Sequence, residues 1–137
     1  MAVIQEVPQA ICLAGQPVTM VASEAVAETG IALKIDAAGT VSIADTAASD
    51  VIVGIAMSTA SAANDLITMY PVASVVRCRA GEAINEGAAL TCESGGRLVA
   101  TVITGDYLVG HALEDAADGD LFMVLLSGAH NRYAATA

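Results

Sequence analysis

The chain has 137 residues and a mass of 13.7 kDa, which is the size of one ordinary domain. Hydrophobic residues make up 55% of the sequence and the mean hydropathy is +0.65, a composition that excludes intrinsic disorder. Lys and Arg number 5 against 15 Asp and Glu, and the net charge of −10 argues against nucleic-acid binding because phosphates would be repelled.

Residues 1–21 are predicted to form an extended N-terminal arm. Pro8 and Pro17 disfavour a helix, and Glu6 is the only charge in the segment. Apolar side chains left in water gain by lying along a partner, so we expect partner contacts from Val3, Ile4, Val7, Pro8, Ile11 and Leu13. A disordered terminus is the alternative.

No membrane segment or secretion signal is apparent. The first positive charge is Lys34, so the basic start of a signal peptide is missing, and no apolar run is long enough to span a bilayer. We therefore expect a protein made in a reducing cytoplasm, with no membrane partner.

An internal repeat at an offset of about 57 residues is the most informative feature of the sequence. The paired segments are 24–33 with 82–90, 35–41 with 92–98, 52–56 with 108–112, and 65–69 with 120–124. The sequence thus predicts one β-domain over 22–127 with two related halves, about 24–69 and 82–124, and a C-terminal tail over 128–137.

Each half is predicted to be β-structure. Ile31, Leu33 and Ile35 alternate with other residues at a period of two, as in a half-buried strand. Further strands are predicted at 41–43, 50–57, 66–70, 72–79, 107–113 and 121–126. The expected fold class is all-β: a compact, β-tulip-like barrel or sandwich built from two related halves, with the extended arm.

Four glycines are predicted to hold structural positions. Gly39 and Gly96 suit tight hairpin turns. Gly54 and Gly110 lie within apolar runs, where glycine marks a bulge or a close backbone contact.

The cysteines are predicted to be free and to serve packing. Cys12, Cys78 and Cys92 make an odd number and include no CxxC pair. In the repeat, Cys92 aligns with Ile35 and Cys78 with Met20, both apolar, which argues against a catalytic thiol or a zinc site.

No catalytic, cofactor or metal site is predicted. His111 aligns with Ile55 on a strand, and His130 lies in the tail, so neither is expected to serve as a catalytic base. The acidic segment 114–120 lacks the spacing of a calcium loop and is interpreted as a solvated loop, with cation binding left open. Segment 80–90 has the rhythm of lipoyl and biotinyl carriers, but the following hairpin tip has no lysine to carry the cofactor.

The chain resembles capsid decoration (cement) proteins of tailed phages over about residues 20–126. Segments 80–90, 95–96, 107–113 and 120–124 are similar to the small capsid cement family. In the first half, Leu33, Ile35 and Asp36, the Gly39–Val41 hairpin and segment 53–56 resemble the lambda-type head-stabilising protein.

This resemblance implies a non-catalytic structural protein of the virion. It implies a homotrimer on the capsid exterior that clamps neighbouring major capsid subunits, after synthesis in the host cytoplasm. A non-catalytic β-rich binding module, or an adhesin-like domain, is the alternative. A small enzyme with a polar pocket at His111 is a third hypothesis.

Overall fold

A computed structural model describes residues 16–36, 39–46, 49–71, 75–100 and 106–126, and within these ranges all regular structure is β, which confirms the all-β fold class. The strands are β1 Val18–Val21, β2 Ala32–Ile35, β3 Val41–Ile43, β4 Ile52–Ala56, β5 Leu66–Pro71, β6 Val75–Arg79, β7 Ala89–Cys92, β8 Leu98–Val99, β9 Gly110–Ala112 and β10 Leu121–Leu126. No helix capable of crossing a membrane occurs in these ranges.

The strands form two antiparallel sheets of five strands with the same order. The first sheet runs β1-β5-β4-β2-β3, and the second runs β6-β10-β9-β7-β8. Each strand of the first sheet therefore has an equivalent five strands later, and the two related halves expected from the repeat are confirmed.

The equivalence extends to single residue pairs. Leu33 pairs with Gly54, as Leu90 pairs with Gly110. Ile55 pairs with Tyr70 in β5, and its predicted counterpart His111 pairs with Leu125 in β10. The register of the second half thus repeats that of the first.

Each half closes on itself in the same way. Ala22, just after β1, bridges Val41 in the edge strand β3, and Ala80 bridges Leu98 in the edge strand β8. Further from the sheets, Val26 bridges Ala60 in the first half, and the equivalent Ile84 bridges Ala116 in the second half. These contacts turn each five-stranded sheet into a small closed unit.

The interior positions of the two halves also correspond. Buried equivalent pairs are Ala22 and Ala80, Val26 and Ile84, Leu33 and Leu90, Val41 and Leu98, Ala56 and Ala112, Ile67 and Phe122, and Met69 and Val124. The first members belong to a cluster confined to the first half, whereas the second members join a larger cluster that also includes Ala32, Ala44, Ile52 and Ile55 of the first half. The two halves therefore share a core.

Strand ends differ from the sequence prediction where side chains replace backbone pairing. The run at 50–57 forms β4 only from Ile52, because the Asp50 carboxylate accepts hydrogen bonds from the Asp45 and Thr46 N–H groups and holds a turn there. The run at 107–113 forms β9 only from Gly110, and the Thr91 hydroxyl donates to the Tyr107 carbonyl. Residues 18–21, which the prediction assigns to the arm, form β1.

Gly54 and Gly110 lie within strands rather than in turns, at positions where the backbones come close. A Cβ on Gly54 would lie 2.5 Å from the Tyr70 carbonyl oxygen, and one on Gly110 would collide with the equivalent Leu125 carbonyl. The pairing of β2 with β4 also shifts register beside Gly54. By contrast, Gly39 and Gly96 occupy hairpin turns at φ values of 80° and 81°.

Alanine substitutions should separate these two kinds of glycine. We expect Gly110→Ala and Gly54→Ala each to lower the free energy of unfolding by about 3 kcal/mol, since a backbone must move to admit the methyl group. Gly39→Ala is the matched control: a Cβ there meets no atom within 4 Å, so only the left-handed conformation should cost about 1 kcal/mol. Denaturant unfolding measures all three, and a smaller loss at Gly54 and Gly110 than at Gly39 would contradict the contact.

Candidate functional site

The junction between the two halves is the first candidate site. The segment before β2 lies against the second half: the Gly30 carbonyl accepts from the Arg79 N–H at 2.7 Å, and the Ala32 N–H donates to the Gly96 carbonyl at 2.8 Å. A Cβ on Gly30 would lie 2.7 Å from the Leu121 side chain and 2.9 Å from the Arg79 nitrogen. Glycine is required here both for this close approach and for a φ of 82°.

Two arginines of the second half reach across this junction. Arg97 binds Glu28 with two hydrogen bonds, Nε to Oε1 at 3.1 Å and Nη2 to Oε2 at 2.6 Å, and its Nη1 lies 3.6 Å from Asp118. Arg79 donates to the Thr29 carbonyl at 3.1 Å and to the Gly119 carbonyl at 3.2 Å. Both guanidinium groups are held by first-half and second-half groups together, so they fix the orientation of the halves.

The hydrogen bond from Arg97 lowers the pKa of Glu28 below its ordinary value. About a third of each side chain is exposed, so solvent screens the pair and its contribution to stability is modest. The two hydrogen bonds of an arginine–carboxylate pair nevertheless fix the relative orientation of the two side chains.

A cavity of about 350 Å³ opens between the halves. Its walls combine apolar side chains with one cationic group, and the lining residues that matter here are Ile55, Met57, Tyr70, Val75, Arg77 and Leu121. Among these there is no nucleophile paired with a base, which is what covalent or acid–base catalysis would need. The cavity is chemically suited to receiving an apolar side chain.

The outer face of the second sheet is the second candidate site. On β10, Leu121, Met123 and Leu125 alternate with buried residues and are 40%, 39% and 48% exposed. The neighbouring β6 places Val75 beside Leu125 and Arg77 beside Met123. The result is an exposed apolar stripe bordered by a cation, and such stripes mark interaction surfaces.

This stripe was not predicted from the sequence, although a signal for it was present. The segment 121–126 is apolar at every position, so both faces of the strand are apolar. Such a strand is typical of a sheet that is covered on both sides. Here the inner face is covered by the core, and the outer face is exposed.

The predicted site residues are placed as follows. Val3, Ile4, Val7, Pro8, Ile11 and Leu13, together with Cys12, His130 and the tail 128–137, lie outside the described residues. His111 is exposed on β9, opposite Ala89 on one side and Leu125 on the other.

The carboxylates of the acidic segment 114–120 bind groups of the chain itself. Glu114 accepts from the Met123 N–H at 2.8 Å, and Asp115 accepts from the Glu86 N–H at 2.7 Å. Asp118 lies beside Arg97, and Asp120 accepts from the Ala117 N–H. Across the described part of the chain, no cluster of three or more potential ligands could hold a metal ion.

Cys78 and Cys92 are free and buried. Burial raises the pKa of Cys78 far above its ordinary range, and burial together with the nearby Asp50 raises the pKa of Cys92 to about 12. A thiol with a raised pKa is a poor nucleophile at neutral pH, because the reactive species is the thiolate. The sheet register matches the alignment, since Cys92 pairs with Leu98 as Ile35 pairs with Val41, but Ile35 is exposed where Cys92 is buried.

The comparisons with known proteins give a structural likeness but no family match. A scan against protein-family models and a search of curated proteins find no match. Among solved structures, the chain is similar to the head fiber gp8.5 N base of bacteriophage phi29, with a TM-score of 0.61 and 26% identity over 82% of this chain and 93% of that one. This likeness supports a structural, phage head-associated role.

The Glu28–Arg97 pair can be tested by titration. We expect the pKa of the Glu28 carboxyl to lie below 4.5 in the native protein and to return toward that value in Arg97→Gln. Because the native pKa is lowered, the stabilisation is present above pH 4.5 and disappears as the pH falls through the native pKa. The stability difference between the two proteins should therefore vanish in acid.

Side-chain NMR measures the pKa directly, and unfolding at several pH values measures the stability. Arg77→Gln is the control, because it removes the same charge from an exposed position and should leave Glu28 unchanged. An equal shift in both variants would show that net charge, rather than the pair, lowers the pKa.

Cys92 should tolerate an apolar replacement but not a charged one. Cys92→Val is expected to cost less than about 1.5 kcal/mol, as near-isosteric core substitutions do, and to leave function intact. Cys92→Asp places a carboxylate in the core near Asp50 and Asp45, so it should unfold the protein. Loss of function in a folded Cys92→Val variant would contradict a packing role.

Proposed function

We propose that this chain is a capsid decoration protein that binds the exterior of a phage head and stabilises it. In this proposal it is made in the host cytoplasm, assembles as a homotrimer and contacts neighbouring major capsid subunits. It acts by burying surface between subunits and requires neither a cofactor nor a catalytic group.

The likeness to the phi29 head fiber base is the observation that carries this proposal, since it extends over 93% of that structure. The exposed apolar stripe on the second sheet supports it, because a protein that joins subunits needs surface to bury. Many weak contacts repeated around a shell add up through multivalency. The net charge of −10 favours a docking surface that is not strongly negative.

A second function is favoured by the name of the same relative. That relative is the base of a head fiber, so this fold could anchor a further structure instead of clamping subunits. The two functions differ in their effect on the shell: a clamp raises the temperature at which empty shells fall apart, whereas an anchor binds without that effect. A binding module or adhesin-like domain would instead saturate with a soluble ligand and ignore shells.

The test is co-sedimentation of the full chain with empty phage shells, followed by heating of the decorated shells. Saturable binding and a higher disruption temperature support the clamp. Binding with an unchanged disruption temperature supports the anchor, and absence of binding rejects both. The shells should come from the phage whose genome encodes this chain.

The N-terminal arm provides a sharper prediction. Deletion of residues 2–13 should leave the β-domain folded but weaken shell binding, because the deleted segment supplies apolar contacts to the shell. In the full chain, Val3→Ser with Ile4→Ser and Val7→Ser should reproduce the loss. Gln5→Ser with Gln9→Ser is the matched control and should bind as the native chain does. Equal binding by the native chain and the deletion variant would show that the arm is not a clamp.

A further inference from the structure

The two halves meet through two different faces, one on each half. The first half contributes a leading face formed by Gly30, Ile31, Ala32, Ile55 and Tyr70, and all of these except the half-buried Tyr70 are buried. The second half contributes a receiving face.

The receiving face consists of Arg79, Cys92, Gly96 and Leu121. Arg79 and Gly96 bond to the leading face through their backbones, and Leu121 contacts Gly30. Cys92 lies in the core shared by the halves. Because the two halves repeat one plan, each face has a counterpart on the other half.

The counterpart of the leading face on the second half is less covered. It consists of Gly87, Ala88, Ala89, His111 and Leu125, which we call the open leading face; Ala88 and Ala89 are half-buried and the other three are exposed. A Cβ on Gly30 would collide with Leu121, but one on Gly87 meets no atom within 4 Å. Ile55 is 1% exposed, whereas its equivalent His111 is exposed, and Leu125 is 48% exposed.

The counterpart of the receiving face lies exposed on the first half. It consists of Val21, Ile35, Gly39 and Leu66, which we call the open receiving face. Ile35 is 51% exposed where the equivalent Cys92 is 3% exposed, and Leu66 is 66% exposed. A Cβ on Gly96 would lie 3.1 Å from Ile31, but one on Gly39 meets no atom within 4 Å.

We propose that a second copy of this chain covers these faces: the open leading face of one copy docks on the open receiving face of the next. The contact between copies then repeats the contact that already joins the halves within one chain. Such a head-to-tail contact uses two different surfaces, so it forms a ring if the rotation closes. The pairing does not depend on capsid binding; only the number of three copies is taken from the proposed function.

The chemistry of the faces favours this occupant. The internal junction carries Arg79 and the Glu28–Arg97 pair, but the open receiving face has Val21 and Thr40 at the positions of these arginines. Val21, Ile35 and Leu66 are among the large apolar residues exposed in the described part of the chain. On the receiving side, the contact between copies therefore lacks the arginines that make the internal one partly ionic, and it should persist between about 0.1 and 1 M NaCl.

The decisive experiment uses two variants, one for each open face. Leu125→Glu blocks the leading side and Leu66→Glu blocks the receiving side, and both positions are exposed enough to accept the charge. The native full chain should sediment at three times the mass of 13.7 kDa. Each variant alone should weaken self-association at least about 30-fold and sediment as a monomer.

Mixing the two variants distinguishes a head-to-tail contact from other arrangements. The Leu125→Glu chain keeps an intact receiving face and the Leu66→Glu chain keeps an intact leading face. An equimolar mixture should therefore form one heterodimer, which can neither close nor grow, and native mass spectrometry identifies it. Ala62→Glu, in an exposed loop outside both faces, is the charge-matched control and should assemble as the native chain does.

Cross-linking tests the same pairing without a destabilising charge. Gly39→Cys with Ala88→Cys, in a Cys12→Ser background, places one thiol on each open face at the positions equivalent to Gly96 and Ile31. Oxidised glutathione should link copies into closed oligomers, whereas either single-cysteine variant should stop at dimers or less. Folding of each variant is checked by its unfolding transition.

Three outcomes would overturn the inference. The first is a native chain that stays monomeric in the absence of shells, as when its own arm or a capsid subunit covers the faces. The second is normal assembly of the single variants, and the third is a mixture that gives no heterodimer. All of these measurements are made without shells, so a result that overturns self-association leaves the shell-binding test of the proposed function unaffected.

Discussion

The architecture depends on one close contact, that of Gly30 with the backbone of the second half. The hydrogen bond between its carbonyl and the Arg79 N–H sets the distance between the halves, and no larger residue fits the space. From this distance follow the burial of Ile55 in the shared core and the reach of Arg97 to Glu28. If the halves stood further apart, the shared core would be exposed to water, and the first half would keep only its small internal cluster.

The two halves have similar residues at equivalent interior positions and different residues elsewhere. Their interior positions hold residues of similar character, and the strand order is the same in both sheets. The residues outside these matched interiors differ: Ile55, which is buried at the junction, corresponds to the exposed His111, Tyr70 corresponds to Leu125, and Arg79 corresponds to Val21. Interior packing determines that each half folds, so the exterior differences are where the two halves can acquire different roles.

The repeat made much of the fold predictable from sequence, because interior residues recur at fixed offsets. The alignment of His111 with Ile55 and of Cys92 with Ile35 matches the register of the sheets. The junction could not be predicted in this way. Gly30 and Gly87 have similar local sequences, yet one is buried and the other exposed, because Arg79 and Leu121, which are distant in sequence, cover Gly30. The exposed stripe on β10 was missed for the same reason: an apolar strand does not reveal which of its faces a distant segment covers.

The closure of each half at its edge strand has a consequence for behaviour at high concentration. An unprotected edge strand offers backbone groups to any extended chain and can start amyloid-type polymerisation. On β3, the Val41 carbonyl accepts from the Ser23 N–H, and the Ile43 N–H donates to the Glu24 carboxylate at 2.9 Å. In the second half, the Leu98 carbonyl and the Ala100 N–H are occupied in the same way, the latter by Glu82 at 2.9 Å. A foreign strand would have to displace a buried bridge and a carboxylate at both places, so these two edge strands are protected against uncontrolled strand addition in a crowded solution.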